Sequence, residues 1–328
     1  MADHTKSKAY PQLLFLLPPL LVYFFACQLF ELSIYPVSSI IDKLLGALKD
    51  QPVPDLKHQL VELKARYVWL ASALLTIVIP IISIIFSIST IRSYVKGSKL
   101  VWTIIVGAFL CIGNVGYLLY SAGKENALYE LVFGFTYKML MRSNMFSDVF
   151  LLHVYAIVLA INILAAVAPI FLLLAVCGTL AMPAGLRDDD PMDLALRMRR
   201  LKEIINVGSA FLVFGILHMS MWLNWSASLA SDPQLGAKTA GVAWSISAYW
   251  GVAFTLVLTV TYLPSTIYLQ SRARRQITEG KLAMGTKEAE QWLSEHGFSF
   301  TLSNQLLQCI SILAPILAAP ISGALKLM

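Results

Sequence analysis

The residues of this 328-residue chain with the plainest chemical potential are the carboxylates in Arg187-Asp188-Asp189-Asp190-Pro191-Met192-Asp193. Asp189, Asp190 and Asp193 make an Asp-Asp-x-x-Asp pattern, a spacing at which carboxylates can hold magnesium against a diphosphate in a membrane lipid enzyme. Two features oppose that chemistry. No second acidic cluster exists to face the first across a site. Pro191 lies inside the pattern, where it starts a helix naturally, with Asp190 as cap and Asp193 three residues after the cap. Arg197, Arg199, Arg200 and Lys202 then form the basic flank of an apolar stretch. The expectation is capping and dipole compensation, with no catalytic residue, no bound metal and no cofactor. Asp188, Asp189, Asp190, Asp193, Arg197, Arg199 and Arg200 read instead as a charged surface for a cytoplasmic protein partner. The sequence has no phosphate-binding Gly-Lys-Ser/Thr loop, no His-Glu-x-x-His and no Gly-x-Ser-x-Gly, so nucleotide-driven pumping, zinc proteolysis and serine hydrolysis have no motif here.

A second set of residues is polar where polarity is costly. His218, Asn162, Asn114 and Thr255 each fall near the middle of an apolar run, so the four share one depth to within a helical turn or so. They read either as a binding or gating layer, or as interhelical hydrogen bonds. Hydroxyls and amides also line up at 100° per residue. Ser72, Thr76, Ser83, Ser87 and Thr90 form one stripe; Asn206, Ser209, Ser220 and Asn224 a second; Ser245, Thr255, Thr259, Tyr262 and Thr266 a third. His218 lies on nearly the opposite face of its helix from the second stripe. Such stripes either support close helix packing or line a path for a solute, and residue types alone leave both open.

The elements that position these groups follow from composition. Apolar residues make up 58% of the chain and charged residues 13%, against about 25% charged in soluble domains. The apolar residues run in long, non-alternating stretches, and lipid accepts such backbone as helices of about 20 residues. The expected fold is all-α: a polytopic transmembrane bundle with spans at 13–32, 67–91, 100–121, 149–177, 204–230 and 241–269. Residues 1–12 form a cytoplasmic N-terminus, 178–203 a cytoplasmic segment and 270–328 a cytoplasmic tail. Segments 33–66 and 122–148 carry apolar residues at helical spacing and are expected to lie as amphipathic helices on the outer surface, the first as a hairpin broken at Gln51-Pro52-Val53-Pro54 whose second helix, capped by Asp55, runs into the next span. With the N-terminus inside, the formal net charge of +6 falls wholly on the cytoplasmic side, which explains the basic character without nucleic acid. Cys27, Cys111, Cys177 and Cys309 all sit in apolar sequence, without disulfide or zinc spacing.

The tail ends in a stretch from Phe298 to Leu325 that carries no charge but is interrupted by Gln305, Gln308, Pro315 and Pro320. It is expected to be a seventh span, a re-entrant segment or a packed cytoplasmic helix. A re-entrant segment favours a conduit, because broken helices at membrane depth border a cavity or are buried in protein. The functional expectation is a plasma-membrane protein, of bacterial inner-membrane type, that forms a channel-like or solute-permeable path regulated from the cytoplasmic side and built as one chain or a homo-oligomer. The alternative is a non-catalytic membrane subunit that recruits a soluble partner. The lipid bilayer is the partner common to both.

Overall fold

Nine α-helices and no strand occur among the described residues of the computed structural model, which are 11–32, 46, 56–122, 129–181, 190–230, 232–278, 285–298 and 302–324. A 3-10 turn, Pro11–Leu16, runs into α1 (Leu17–Leu32); α2 is Leu56–Tyr94 and α3 Ser98–Ala122. A π-helical turn, Glu130–Gly134, leads into α4 (Phe135–Arg142). Then come α5 (Asp148–Leu180), α6 (Pro191–Ser228), α7 (Pro233–Thr278), α8 (Thr286–Glu295) and α9 (Leu302–Ala324). Six helical stretches are long and apolar enough to cross a membrane, and they correspond to the six expected spans. The chain is an integral membrane protein with an all-α bundle fold.

Local chemistry sets the helix ends. Ser147 accepts a hydrogen bond from Phe150 N at the start of α5. Asp190 accepts one from Met192 N at the start of α6, with Pro191 in the first turn where its missing N–H costs nothing. Gly97, at φ +63°, makes the tight connection from α2 to α3 in a conformation that a side chain would resist.

Helix α6 is the hub. It packs against α2, α5, α7 and α9; α2 lies between α5 and α6, α3 sits outside α5, and α1 lies against α7. The core divides by depth into two clusters. One end holds Leu180, Leu194, Met198, Leu201 and Leu269, capped by Ala289, Leu293 and Phe298 from the α8 region. The other holds Trp69, Trp222, Trp225, Met139 and Leu140. These are called below the basic end and the aromatic end.

Three details sharpen or correct what the sequence leads one to expect. Residues 56–66 are the first turns of α2 and run straight into the span, as expected of a helix starting after Asp55, but they place Glu62 inside the bundle at 1% exposure rather than on the surface. The described part of segment 122–148 does not lie flat, because Val132, Phe135, Met139 and Leu140 are buried against the bundle and Thr136 donates to Trp222 O at 3.3 Å. Pro315 and Pro320 do not break α9, which runs continuously in the groove between α6 and α7. Packing on both sides outweighs the bonds the prolines remove. The N-terminal ten residues, 33–45, 47–55, 123–128, and Asp188 and Asp189, on which other expectations fell, lie outside the described residues.

The α7–α9 approach is close enough to test. A Cβ on Gly251 would stand 2.9 Å from Pro315 O and 3.1 Å from Ile316 Cα, both backbone atoms, whereas Gly215 of α6 has nothing within 4 Å. Gly251→Ala is expected to cost about 1–3 kcal/mol by overpacking. Gly215→Ala should be neutral or stabilising by about 0.5–1 kcal/mol. Unfolding midpoints of the two variants in one detergent check the contrast.

Candidate functional site

The four midplane residues do not form one layer. Asn114 Nδ2 donates to Ala166 O at 2.8 Å, tying α3 to α5. His218 Nδ1 is 3.1 Å from Ser72 Oγ, tying α6 to α2. Asn162 is buried on α5, and Thr255, on α7, has a buried hydroxyl with no partner. No hydrogen bond joins any two of the four among the described residues.

The three stripes also separate. On α2, Thr76, Ser83, Ser87 and Thr90 are buried, and their hydroxyls donate to the carbonyls of Ser72, Ile79, Ser83 and Phe86 in their own helix. Thr76 also reaches Phe214 O of α6 at 3.4 Å. Ser72 donates to Trp69 O at 2.7 Å. Every hydroxyl of this stripe is satisfied within the chain, as side chains at a close helix contact should be.

The stripes of α6 and α7 converge on α9. Ser209 of α6 donates to Ser311 O of α9, and Gly251 of α7 lies against the backbone at Pro315. At 100° per residue, Asn206, Ser220 and Asn224 lie within about 60° of Ser209 on α6, and Thr255, Thr259, Tyr262 and Thr266 lie within about 80° of Gly251 on α7. Gln308, one turn before Ser311, is buried at 4% exposure. On these sides of α6 and α7, and on α9, Asn224 Oδ1, Thr255 Oγ1, Thr266 Oγ1 and Gln308 Nε2 are buried without a hydrogen-bond partner, as are the Trp69, Trp222 and Trp250 ring nitrogens elsewhere. Asn224 Nδ2 does donate to Ser220 Oγ at 3.3 Å, and Thr259 donates to Thr255 O at 2.8 Å. Asn206 and Ser245, at opposite ends of their stripes, are exposed. The seam contains hydroxyls and amides but no formal charge, so its chemistry suits hydrogen bonding to a neutral polar guest.

At the basic end the charged cluster is largely committed to the fold. Arg197 is 4% exposed. Its guanidinium donates to Asp193 Oδ2 at 2.7 Å and to the carbonyls of Thr179 and Ala181 at 2.9 and 2.7 Å, and lies 4.8 Å above the Tyr94 ring. Arg272 of α7 reaches Leu180 O at 3.3 Å. Two arginines from two helices therefore answer the free carbonyls at the end of α5, where the helix dipole favours a cation. Arg199 and Arg200 pair with Glu203 at 3.4 and 2.9 Å, and Arg199 remains largely exposed. Lys202 Nζ donates to Gly297 O at 2.9 Å, anchoring the chain just before α9.

At the aromatic end lies a network that the sequence reading missed. Glu62 accepts from Arg66 Nε at 3.0 Å and from Trp225 Nε1 at 2.8 Å, and Arg66 lies 5.3 and 5.4 Å from the Phe146 and Phe150 rings. The Trp69 and Trp225 rings stack at 4.8 Å. The i,i+4 pair Glu62–Arg66 was a visible signal, but it stood in a segment assigned to the surface. Among the described residues no group of three His, Cys, Asp or Glu side chains has metal-binding geometry.

The chain matches no protein-family model, no curated protein and no solved structure.

The clamp and the seam respond oppositely to truncation. Arg197→Ala leaves carbonyls at the end of α5 unanswered and is expected to cost about 2–3 kcal/mol, the range for charge-assisted hydrogen bonds. Gln308→Leu removes a buried unpaired amide and is expected to raise stability by about 1–3 kcal/mol. Denaturant titrations in mixed micelles measure both, and a destabilised Gln308→Leu would show that the amide is bonded.

Proposed function

We propose that the protein provides a path for small neutral polar solutes along the seam of α6, α7 and α9, with α9 as the element that opens and closes it. The observation that carries this reading is that four of the buried polar atoms without a partner, on Asn224, Thr255, Thr266 and Gln308, fall on the sides of α6 and α7 turned toward α9 or on α9 itself. At the rise of about 1.5 Å per residue, Ser209 and Asn224 stand about 22 Å apart along α6, most of a hydrocarbon thickness of about 30 Å. Polar atoms left unpaired at that depth are costly unless something polar visits them.

The absence of charge in the seam sets the solute class. A neutral hydroxylated or amide solute exchanges hydrogen bonds with Thr, Asn and Gln side chains, whereas an ion would meet no counter-charge. Regulation belongs at the basic end, where Lys202 holds Gly297 O and Arg274 pairs with Glu290 of α8 at 2.9 Å. On the positive-inside assignment that end is cytoplasmic, and a bacterial plasma membrane is the setting this reading supposes. A homo-oligomer is not required by this reading. Recruitment of a soluble partner would rest on Arg199 and Arg200, since Arg197 is buried in the clamp, and no separate observation favours it.

Proteoliposome swelling in glycerol gradients tests the path. The wild-type protein, or Gly251→Ala with α9 loosened, should raise glycerol permeability at least tenfold over protein-free vesicles while leaving potassium permeability unchanged. The triple variant Thr255→Val, Thr266→Val, Gln308→Leu should return permeability to the vesicle baseline while remaining folded. Baseline permeability for both the wild type and Gly251→Ala, or undiminished flux in the triple variant, would overturn the reading.

A further inference from the structure

A separate site lies on the other side of α6, at the aromatic end. A cleft of about 270 Å³ opens between α4, α5 and the end of α3. Its rim holds Tyr129, Glu130, Tyr137 and Lys138, and its lining includes Val158 of α5 and Trp222 of α6. Glu130 and Lys138 are ion-paired although eight residues apart, about 12 Å along an ordinary helix. Two local features make the pair possible. The chain makes a π-helical turn over Glu130–Gly134, and Gly134 has no side chain where the Glu130 carboxylate crosses it: a Cβ there would stand 2.9 Å from Glu130 Oε2. π-turns inside α-helices concentrate at functional sites.

The cleft grades from charged to apolar. Glu130 and Lys138 lie on the segment that joins α3 to α5. Val158 lies about 15 Å along α5 from its start at Asp148, and Trp222 about 9 Å from the end of α6. A ligand filling it therefore has a polar group at headgroup level and an apolar continuation at acyl depth. The rim is electrically balanced. An anion arriving at Lys138 would leave the Glu130 carboxylate unpaired, and a cation arriving at Glu130 would leave Lys138 unpaired; each outcome is costly in a partly buried site. A ligand carrying both charges answers both. The aromatic rings of Tyr129 and Phe133, 5.8 Å apart, and of Tyr137 add faces that attract an ammonium. Burial, and after it the neighbouring Tyr155, holds both the Tyr129 and the Tyr137 hydroxyls above their ordinary pKa, so the rim adds no further negative charge beside Glu130.

We propose that this cleft binds the headgroup of a zwitterionic phospholipid, the ammonium on Glu130 and the phosphate on Lys138, with the acyl chains left in the surrounding bilayer. The cleft volume suits a headgroup and glycerol rather than a whole lipid. The site is independent of the seam, so it stands whether or not the chain conducts glycerol.

The test uses the full chain in nanodiscs of equimolar phosphatidylethanolamine and phosphatidylglycerol, with retained lipid counted by native mass spectrometry after release. The wild type should retain phosphatidylethanolamine at least fivefold over phosphatidylglycerol. Glu130→Gln, which leaves a lone cation, should reverse that order, and Met141→Trp, which fills the cleft from an exposed position, should reduce retention of both. Unfolding midpoints confirm that the variants are folded, and Lys138→Arg should keep the wild-type preference. Equal retention of the two lipids by the wild type, or a preference that Glu130→Gln leaves unchanged, would overturn the proposal. So would displacement of the lipid by an equal concentration of glycerophosphoethanolamine, which would assign the cleft to a soluble ligand.

Discussion

In hydrocarbon a polar group has no water to fall back on, and this constraint governs every contact between the long helices. Helix α2 meets it locally, bending its hydroxyls back onto carbonyls of the preceding turn. Asn114 meets it across a helix pair by donating to Ala166 O. At the basic end, Arg197 and Arg272 meet it for the last carbonyls of α5, which no further helical turn can answer. At the aromatic end, Arg66 and Trp225 meet it for the buried carboxylate of Glu62. Both ends of the bundle are thus closed by charge-assisted hydrogen bonds, and the apolar residues fill the volume between them.

The central position of α6 follows from the same constraint. A helix that is apolar all round is indifferent to its neighbours in lipid, whereas one with distinct polar faces selects them. His218 and the Ser209 stripe lie on opposite faces of α6, and the structure places α2 against the first and α9 against the second. The Trp69, Trp222 and Trp225 cluster fixes the α2–α6 pair at one end, and Leu194, Met198 and Leu201 fix α6 against its neighbours at the other.

The spans were legible because apolar run length is a property of sequence alone, and the Asp190–Pro191 helix start was legible because capping is local. The stripes were legible as lines on helices but not as interfaces: the same hydroxyl pattern on α2 and on α7 ends in different surroundings, and only the position of α9 distinguishes them. Pro315 and Pro320 argued for a broken segment, because local propensity contains nothing about the groove between α6 and α7 that supports the helix. The Glu130–Lys138 pair was hidden for a geometric reason. Eight residues is no helical pairing distance, and the π-turn that shortens it has no sequence signature beyond Gly134.

The seam is one of the places where the governing constraint is broken: the Trp69, Trp222 and Trp250 ring nitrogens and the Ser121 hydroxyl are also buried without a partner. A buried polar group left unsatisfied costs about 1–3 kcal/mol, so each of the unpaired atoms on Asn224, Thr255, Thr266 and Gln308 is a cost that an apolar side chain would avoid. Packing alone gives no reason to bear that cost, since Leu or Val in place of Gln308 or Thr266 would fill the space without it. The neighbouring contacts show that the chain can pair such groups when pairing is all that is needed: Ser209 finds Ser311 O and Thr259 finds Thr255 O on the same seam. On the proposed reading, the polar atoms left unpaired beside these well-paired ones are the ones a passing solute would answer.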